Sequence, residues 1–167
     1  MEHKNKDIKV IKNFLMKNEF DFISKIITGS DFSWFYQKEQ NAHAKDGFFF
    51  SHILYNFDRI NSDNFDNIIT PLSRRIGYES LRRCIINLIT RSDVPRRSIF
   101  HRDFDDDRLT TGLLYINDNN GYTEFETGEK IKCISNMYVE FPCKLKHRSI
   151  SQTDVDARCV INLNYYK

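Results

Sequence analysis

His101-Arg102-Asp103 sets an imidazole and a carboxylate two residues apart, and His147 and Arg158 follow much later in the chain. On an extended segment side chains alternate with period two, so His101 and Asp103 share a face and can reach one divalent metal from the same side. His147, brought in from a distant strand, completes a face of three ligands and leaves the opposite positions open to exchangeable groups. Arg158 lies in the apolar run Arg158-Cys159-Val160-Ile161-Asn162-Leu163-Asn164-Tyr165. A guanidinium buried there without an anion is costly, so its placement implies a partner. That partner is either a protein carboxylate such as Asp103 or Glu124, or the carboxylate of a bound co-substrate held by two parallel hydrogen bonds. A lone histidine reads more simply as solvated or as part of the core; the ordered set is what favours a metal. Of the other histidines, His3 sits in the charged start of the chain, and His43 and His52 have no carboxylate two residues away. Asp105, Asp106 and Asp107 read as an exposed, hydrated loop.

The elements that position these residues must come from one domain, since 167 residues suffice for one proper core and not for two. Lys and Arg number 25 against 23 Asp and Glu, a net charge of +2, so no strong field invites nucleic acid or an anionic membrane. With 14 Phe and 8 Tyr the chain can build a bulky core and an aromatic-lined cleft. No apolar run approaches the ~20 residues needed to span a bilayer. Met1 to Lys12 carries charges throughout and lacks the apolar stretch of a secretory signal, so a soluble, cytoplasmic protein is expected. Cys84, Cys133, Cys143 and Cys159 form no C-x-x-C pair and sit in strand-like surroundings. They read as small buried hydrophobes rather than as a zinc site or disulfides.

The first half, residues 1–77, is expected to be mainly helical support. Ile8, Ile11, Leu15, Phe22, Ile23, Ile26 and Ile27 fall close to helical spacing from Asp7 to Ile27, with Gly29 as a stop. Ser30 to Phe50 is irregular and aromatic. A second helix is expected from about Asn64 to Ile76, with Phe65, Ile68, Ile69 and Leu72 inward, bent at Pro71 and ended by Gly77. The second half, 78–167, reads as strand after strand: Leu81–Thr90, Leu109–Asn117, Tyr122–Glu126, Lys130–Ile134, Asn136–Pro142 and Ala157–Tyr165. Asp118-Asn119-Asn120-Gly121 predicts a turn, because Asn-Gly tolerates positive φ, and Thr127-Gly128 predicts a hairpin. Helices followed by many short strands predict an α+β fold with a double-sheet jelly roll as its core.

His101-x-Asp103, His147 and Arg158, with Gly112-Leu113-Leu114-Tyr115-Ile116-Asn117 after the metal pair, resemble the signature of the Fe(II)/2-oxoglutarate-dependent dioxygenases, in particular the prolyl-4-hydroxylase-like branch. The resemblance covers about Leu81 to Tyr165. Gly121-Tyr122-Thr123-Glu124-Phe125 and the ending Val160–Tyr165 are also similar to small oxygenases encoded by tailed phages, which would place the protein in a host cytoplasm. The resemblance implies a double-stranded β-helix core, Fe(II) held by His101, Asp103 and His147, and 2-oxoglutarate and dioxygen as co-substrates. It implies that Arg158 meets the far carboxylate of 2-oxoglutarate and that Tyr115 hydrogen-bonds the same carboxylate. Asn87, on the strand before the metal pair, would reach the other end of the co-substrate. Oxidative decarboxylation to succinate and carbon dioxide would be coupled to hydroxylation of a substrate C–H bond. Two departures stand out. The gap from His147 to Arg158 needs an extra loop, about Ser149 to Asp154, and a tyrosine frequent before the metal pair is replaced by Ile89 or Thr90.

By analogy with prolyl hydroxylases, the substrate would be a protein or peptide side chain; a free amino acid, another small molecule or a nucleobase is the alternative within the same chemistry. Arg96, Arg97 and the aromatic segment Trp34–Tyr36 are expected beside its entrance, unless the aromatics simply pack helices onto the sheet and the arginines form a solvated turn after Pro95. Two other classes compete: a non-catalytic jelly-roll module, such as a phage structural accessory, and a zinc hydrolase built on the same three ligands. The presence of all three ligands weighs against the first. Arg158, unexplained by hydrolysis, weighs against the second.

Overall fold

The structure, a computed structural model, describes residues 6–38 and 47–167. The elements run β1 (Lys9–Ile11), α1 (Lys17–Ile27), β2 (Phe35–Lys38), β3 (Phe48–Asn56), β4 (Arg59–Ile60), α2 (Phe65–Ile76), β5 (Ser80–Thr90), β6 (Leu109–Tyr115), β7 (Asn119–Phe125), β8 (Lys130–Cys133), β9 (Met137–Pro142), β10 (His147–Ile150) and β11 (Ala157–Tyr166). They form a large antiparallel sheet in the order β1-β9-β6-β11-β5-β3-β2, with β4 paired to β3, and a small sheet in the order β10-β7-β8. This is the expected α+β architecture: two facing sheets, with two helices laid on the outside of the larger one.

Strand alternation explains the layering. Along β11, Cys159, Ile161, Leu163 and Tyr165 turn outward and join Phe20, Ile23 and Ile27 of α1 and Ile68 and Leu72 of α2 in one core. Both helices bury residues three or four apart, as an amphipathic stripe requires. On the other face Val160 joins Leu113, Tyr115, Phe125, Val139 and Phe141 between the sheets. The same face of β11 also carries Arg158, Asn162 and Asn164, three polar side chains buried inside the roll, and ends at the half-buried Tyr166.

The N-terminal half departs from the helical expectation. Residues 9–11 form an edge strand on β9, and the first helix begins only at Lys17. Asn13, at φ 49°, breaks the chain between them. The aromatic run at 48–50 opens a nine-residue strand, β3, which pairs with β5. The second helix matches its expected bounds, runs through Pro71, and stops at Gly77 in the left-handed region. Gly121 is not in a positive-φ turn; it lies within β7. A Cβ there would stand 2.9 Å from the Ile150 carbonyl oxygen, so close approach of β10 is what requires glycine. The Thr127-Gly128 hairpin is as expected, with Gly128 at φ 100°. All four cysteines are buried and unpaired.

Candidate metal and co-substrate site

His101 and His147 are brought together by the backbone. His101 lies outside the named strands, yet its N–H donates to the His147 carbonyl at 3.0 Å and the reverse bond is also 3.0 Å. Such a doubly bonded antiparallel pair sets both side chains on one face, and the ring centroids lie 4.7 Å apart. Asp103, two residues on, turns to the same side, and one ligand atom from each of the three residues lies within 4.8 Å of the others. Each histidine Nδ1 faces a backbone carbonyl, Ile99 at 3.2 Å and Leu145 at 3.3 Å. A carbonyl only accepts, so Nδ1 carries the proton and Nε2 keeps the lone pair that a metal needs.

Asp103 is held by a ring of donors. Its Oδ2 accepts from Asn164 Nδ2 at 3.0 Å and from Thr111 Oγ1 and Asn162 Nδ2 at 3.2 Å, while Arg83 Nη2 lies 3.2 Å from Oδ1. Burial alone would raise its pKa, but His147, Arg83, Asn164 and His101 outweigh burial and hold the carboxyl below the usual carboxylate range. Burial pushes the His147 pKa down, against the pull of Asp103. A carboxylate beside two imidazoles whose Nδ1 atoms face backbone carbonyls, leaving Nε2 on the side of the third ligand, is a donor set that fits Fe(II). Sequence reasoning missed Thr111, Asn162, Asn164 and Arg83 as supports. The signal was present: Arg158, Asn162 and Asn164 recur at even positions of a strand otherwise apolar.

Arg158 is 2% exposed, and no carboxylate among the described residues pairs with it. Both protein partners considered from the sequence are otherwise engaged. Asp103 meets Arg83, and Glu124 meets Arg148 at 2.6 Å. Arg158 Nη1 donates to Ser149 Oγ and to the Ile150 carbonyl at 3.2 Å, and Nη2 donates to Thr123 Oγ1 at 3.3 Å. Its Nε is buried with no partner at all. Tyr115 is fully buried with its hydroxyl donating to the same Thr123 Oγ1 at 2.8 Å, and its ring lies 5.8 Å from the Arg158 guanidinium carbon.

A cavity of about 500 Å³, a volume typical of small-ligand sites, is bordered by His101 and Asp103, with His147 behind its lining. His101 and Asp103 line it at one side, Asn87 and Ile89 of β5 along the floor, and Ser149 at the end where Arg158 is anchored. Arg158 and Tyr115 stand behind that lining. Arg96 also borders the cavity; Arg97 is exposed and outside it. Trp34 packs on the helix-side core, whereas Phe35 and Tyr36 are 58% and 61% exposed. Asp105, Asp106 and Asp107 form exposed ion pairs with Arg102, Arg108 and Lys144. Both nitrogens of His52 are engaged, with the Ser33 carbonyl and Ser62 Oγ at 2.7 Å each, so it is no ligand. His3 and His43 lie outside the described residues.

No family model matches the sequence, and no curated protein matches it. Solved structures do match. A prolyl hydroxylase from Trichoplax adhaerens, solved with a peptide of the hypoxia-inducible factor oxygen degradation domain, superposes with TM-score 0.67 at 16% identity, covering 96% of this chain and 83% of its own. A 2OG-Fe(II) oxygenase family oxidoreductase from Burkholderia pseudomallei gives TM-score 0.66 at 9% identity over 95% and 85% of the two chains. A Pseudomonas putida prolyl-4-hydroxylase gives 0.62 at 13% identity over 96% and 93%. None of the three supports the resemblance to phage enzymes. The chain has the double-stranded β-helix fold of the 2-oxoglutarate- and Fe(II)-dependent oxygenases, the prolyl hydroxylases among them.

Proposed function

We propose that the protein is an Fe(II)- and 2-oxoglutarate-dependent dioxygenase that hydroxylates a C–H bond, with a protein or peptide side chain as its substrate in the manner of prolyl hydroxylases. The observation that carries this reading is Arg158. A fully buried guanidinium with an unpartnered Nε, and with no carboxylate among the described residues, calls for an anion from outside the chain. It shares a strand face with the two asparagines that hold Asp103, and its anchor Ser149 lines the same cavity as His101 and Asp103, which supports an anion site next to the ligand set.

In this assignment His101 Nε2, His147 Nε2 and Asp103 hold the metal. Thr111, Asn162 and Asn164 fix the Asp103 carboxylate so that one oxygen faces the histidines. Arg158 takes the far carboxylate of 2-oxoglutarate, and Tyr115 helps by fixing Thr123 beside the guanidinium. Asn87 offers an amide from the floor toward the metal-side end. Bound Fe(II), with 2-oxoglutarate and dioxygen, supplies the oxidising power for the C–H bond, and the co-substrate leaves as succinate and carbon dioxide. The protein's own part is to hold three groups in a dry, shaped chamber and leave one face of the metal open. The jelly-roll wall of Phe125, Phe141 and Val160 keeps water from the inner side.

The test is succinate formation from 2-oxoglutarate in air by iron-loaded protein, with His147→Ala as control. Succinate that depends on iron and on His147 supports the reading. A folded, iron-binding protein that forms none would turn attention to the non-catalytic module.

A further inference from the structure

The cavity lining is unbalanced in charge. Lys38, Arg83, Arg96 and Arg102 border it, and the one carboxylate among its described lining residues is Asp103. Arg83 is committed to Asp103 and Arg102 to Asp105. Arg96 and Lys38 have no carboxylate partner among the described residues. Arg96 is nevertheless held in place: its backbone N–H donates to Ser151 Oγ at 2.7 Å, Nη2 donates to the Thr90 carbonyl at 3.1 Å, and the guanidinium lies 5.9 Å from the Phe48 ring centre. Lys38 is directly opposite Phe48 in the β2–β3 ladder, so the two cations flank one aromatic wall. An arginine that borders a cavity, pinned by its backbone and one Nη and with Nε and Nη1 making no hydrogen bond to the described residues, can receive a planar anion. The chain as a whole carries only +2, so this local excess is not a reflection of general basicity.

We propose that the substrate is an acidic one: it carries a carboxylate that pairs with Arg96 and Lys38 while its apolar part lies on Phe48, the ring between them. This rests on the oxygenase reading for the identity of the site. The carboxylate can belong to an acidic side chain of a peptide or to a free small acid. In either case its distance from the reacting C–H bond is set by the span from Arg96 to the metal. Gln37 and Phe49, the next pair of the same ladder, turn to the opposite face of the two strands and border the cavity on the side of Asn87 and Ile89.

The experiment uses the whole protein loaded with Mn(II), which cannot turn over, and saturated with 2-oxoglutarate so that the inner anion site is filled. Two fluorescein-labelled short peptides, one alternating Glu with Ala and its twin carrying Gln for Glu, are titrated by anisotropy. Free acidic amino acids and their amides are compared by thermal shift. The Glu peptide is expected to bind about tenfold more tightly than its twin, the gain of one half-buried charge-assisted pair, with the advantage lost at high salt and in the Lys38→Gln/Arg96→Gln variant. Stabilisation by the free acids alone, lost in the same variant, supports the small-acid source instead. Equal binding of acid and amide in both arms, or a preference for acid that survives in the variant, overturns the proposal. The thermal shift caused by 2-oxoglutarate itself is measured alongside. Its absence in the unmutated protein would refute the oxygenase reading, whereas its presence with no acid preference refutes only the acidic substrate.

Discussion

Replacing Arg158 by Met keeps most of the side-chain volume and removes the charge, and it separates two explanations of this residue. If the guanidinium is there for an external dicarboxylate, the protein without co-substrate holds a buried charge that no anion compensates. Swapping a buried ionic group for a well-packed apolar one is neutral or stabilising by up to about 4 kcal/mol. Against this stand its hydrogen bonds to Ser149, Ile150 and Thr123, at about 1.5 kcal/mol each for a charged donor. The two nearly cancel, so Tm should change little. Binding of 2-oxoglutarate should weaken sharply. Truncating one partner of a buried, hydrogen-bonded charge pair costs about 2–5 kcal/mol, which is roughly thirtyfold to several-thousandfold in Kd. Isothermal titration of the Mn(II) protein and a thermal melt of the metal-free protein give both numbers. A structural tether would behave in the opposite way: Tm would fall by roughly 5 °C or more, as expected for a loss of about 2 kcal/mol in a chain of this size, and co-substrate affinity in the surviving fold would not move. That outcome would refute the role given to Arg158.

His147→Ala should abolish stoichiometric Fe(II) binding while leaving the far-ultraviolet circular dichroism unchanged, since the β10 backbone pairing to β7 does not need the ring; retained iron would contradict the ligand set. Gly112→Ala should destabilise by about 1–3 kcal/mol in denaturant titration, because a Cβ there would lie 2.0 Å from the Tyr138 hydroxyl, itself bonded to Tyr165. Asn136→Ala should also destabilise, by about 2 kcal/mol: it removes both side-chain bonds to the Leu15 backbone and puts alanine at φ 57°. For pH, His147 and Asp103 both have lowered folded pKa values, so each contributes stability that is fully present above its unfolded value. Stability of the metal-free protein should therefore start to fall as pH drops below the ordinary histidine value of about 6.5, and fall again below the ordinary aspartate range. His147→Gln should remove the first decline in a chemical-denaturation series.

The C-terminal half of the chain is legible because its strands alternate and its punctuation is strong. From β5 onward most strands lie within a residue or two of their expected bounds, though β7 begins three residues early and β10 takes up the start of the expected Ser149–Asp154 loop, and His101, Asp103 and His147 come within 4.8 Å of one another. The N-terminal half was less legible for identifiable reasons. Ile8 and Ile11 keep helical spacing with Leu15, but Asn13 in the left-handed region ends that register before the helix begins. Phe48-Phe49-Phe50 shows no alternation because both faces of β3 are partly buried there, one in the aromatic cluster with Tyr36 and the other at the cavity. Gly121 was read as a turn residue when its role is to let the Ile150 backbone approach. Within the site, side chains that touch the metal face were found from residue type, whereas Thr111, Asn162 and Asn164 were not. An asparagine announces no chemistry until the fold brings a carboxylate to it.

The central claim is that His101, Asp103 and His147 hold Fe(II) in a chamber whose inner end, at Arg158, receives 2-oxoglutarate. Anaerobic titration of the Fe(II)-loaded protein with 2-oxoglutarate tests it most directly, by watching for the weak visible metal-to-ligand absorption that chelation produces. A saturable band at one equivalent, lost in Asp103→Ala and shifted to far higher co-substrate concentration in Arg158→Met, is the predicted result. A folded protein with iron bound and no band at any 2-oxoglutarate concentration would contradict it.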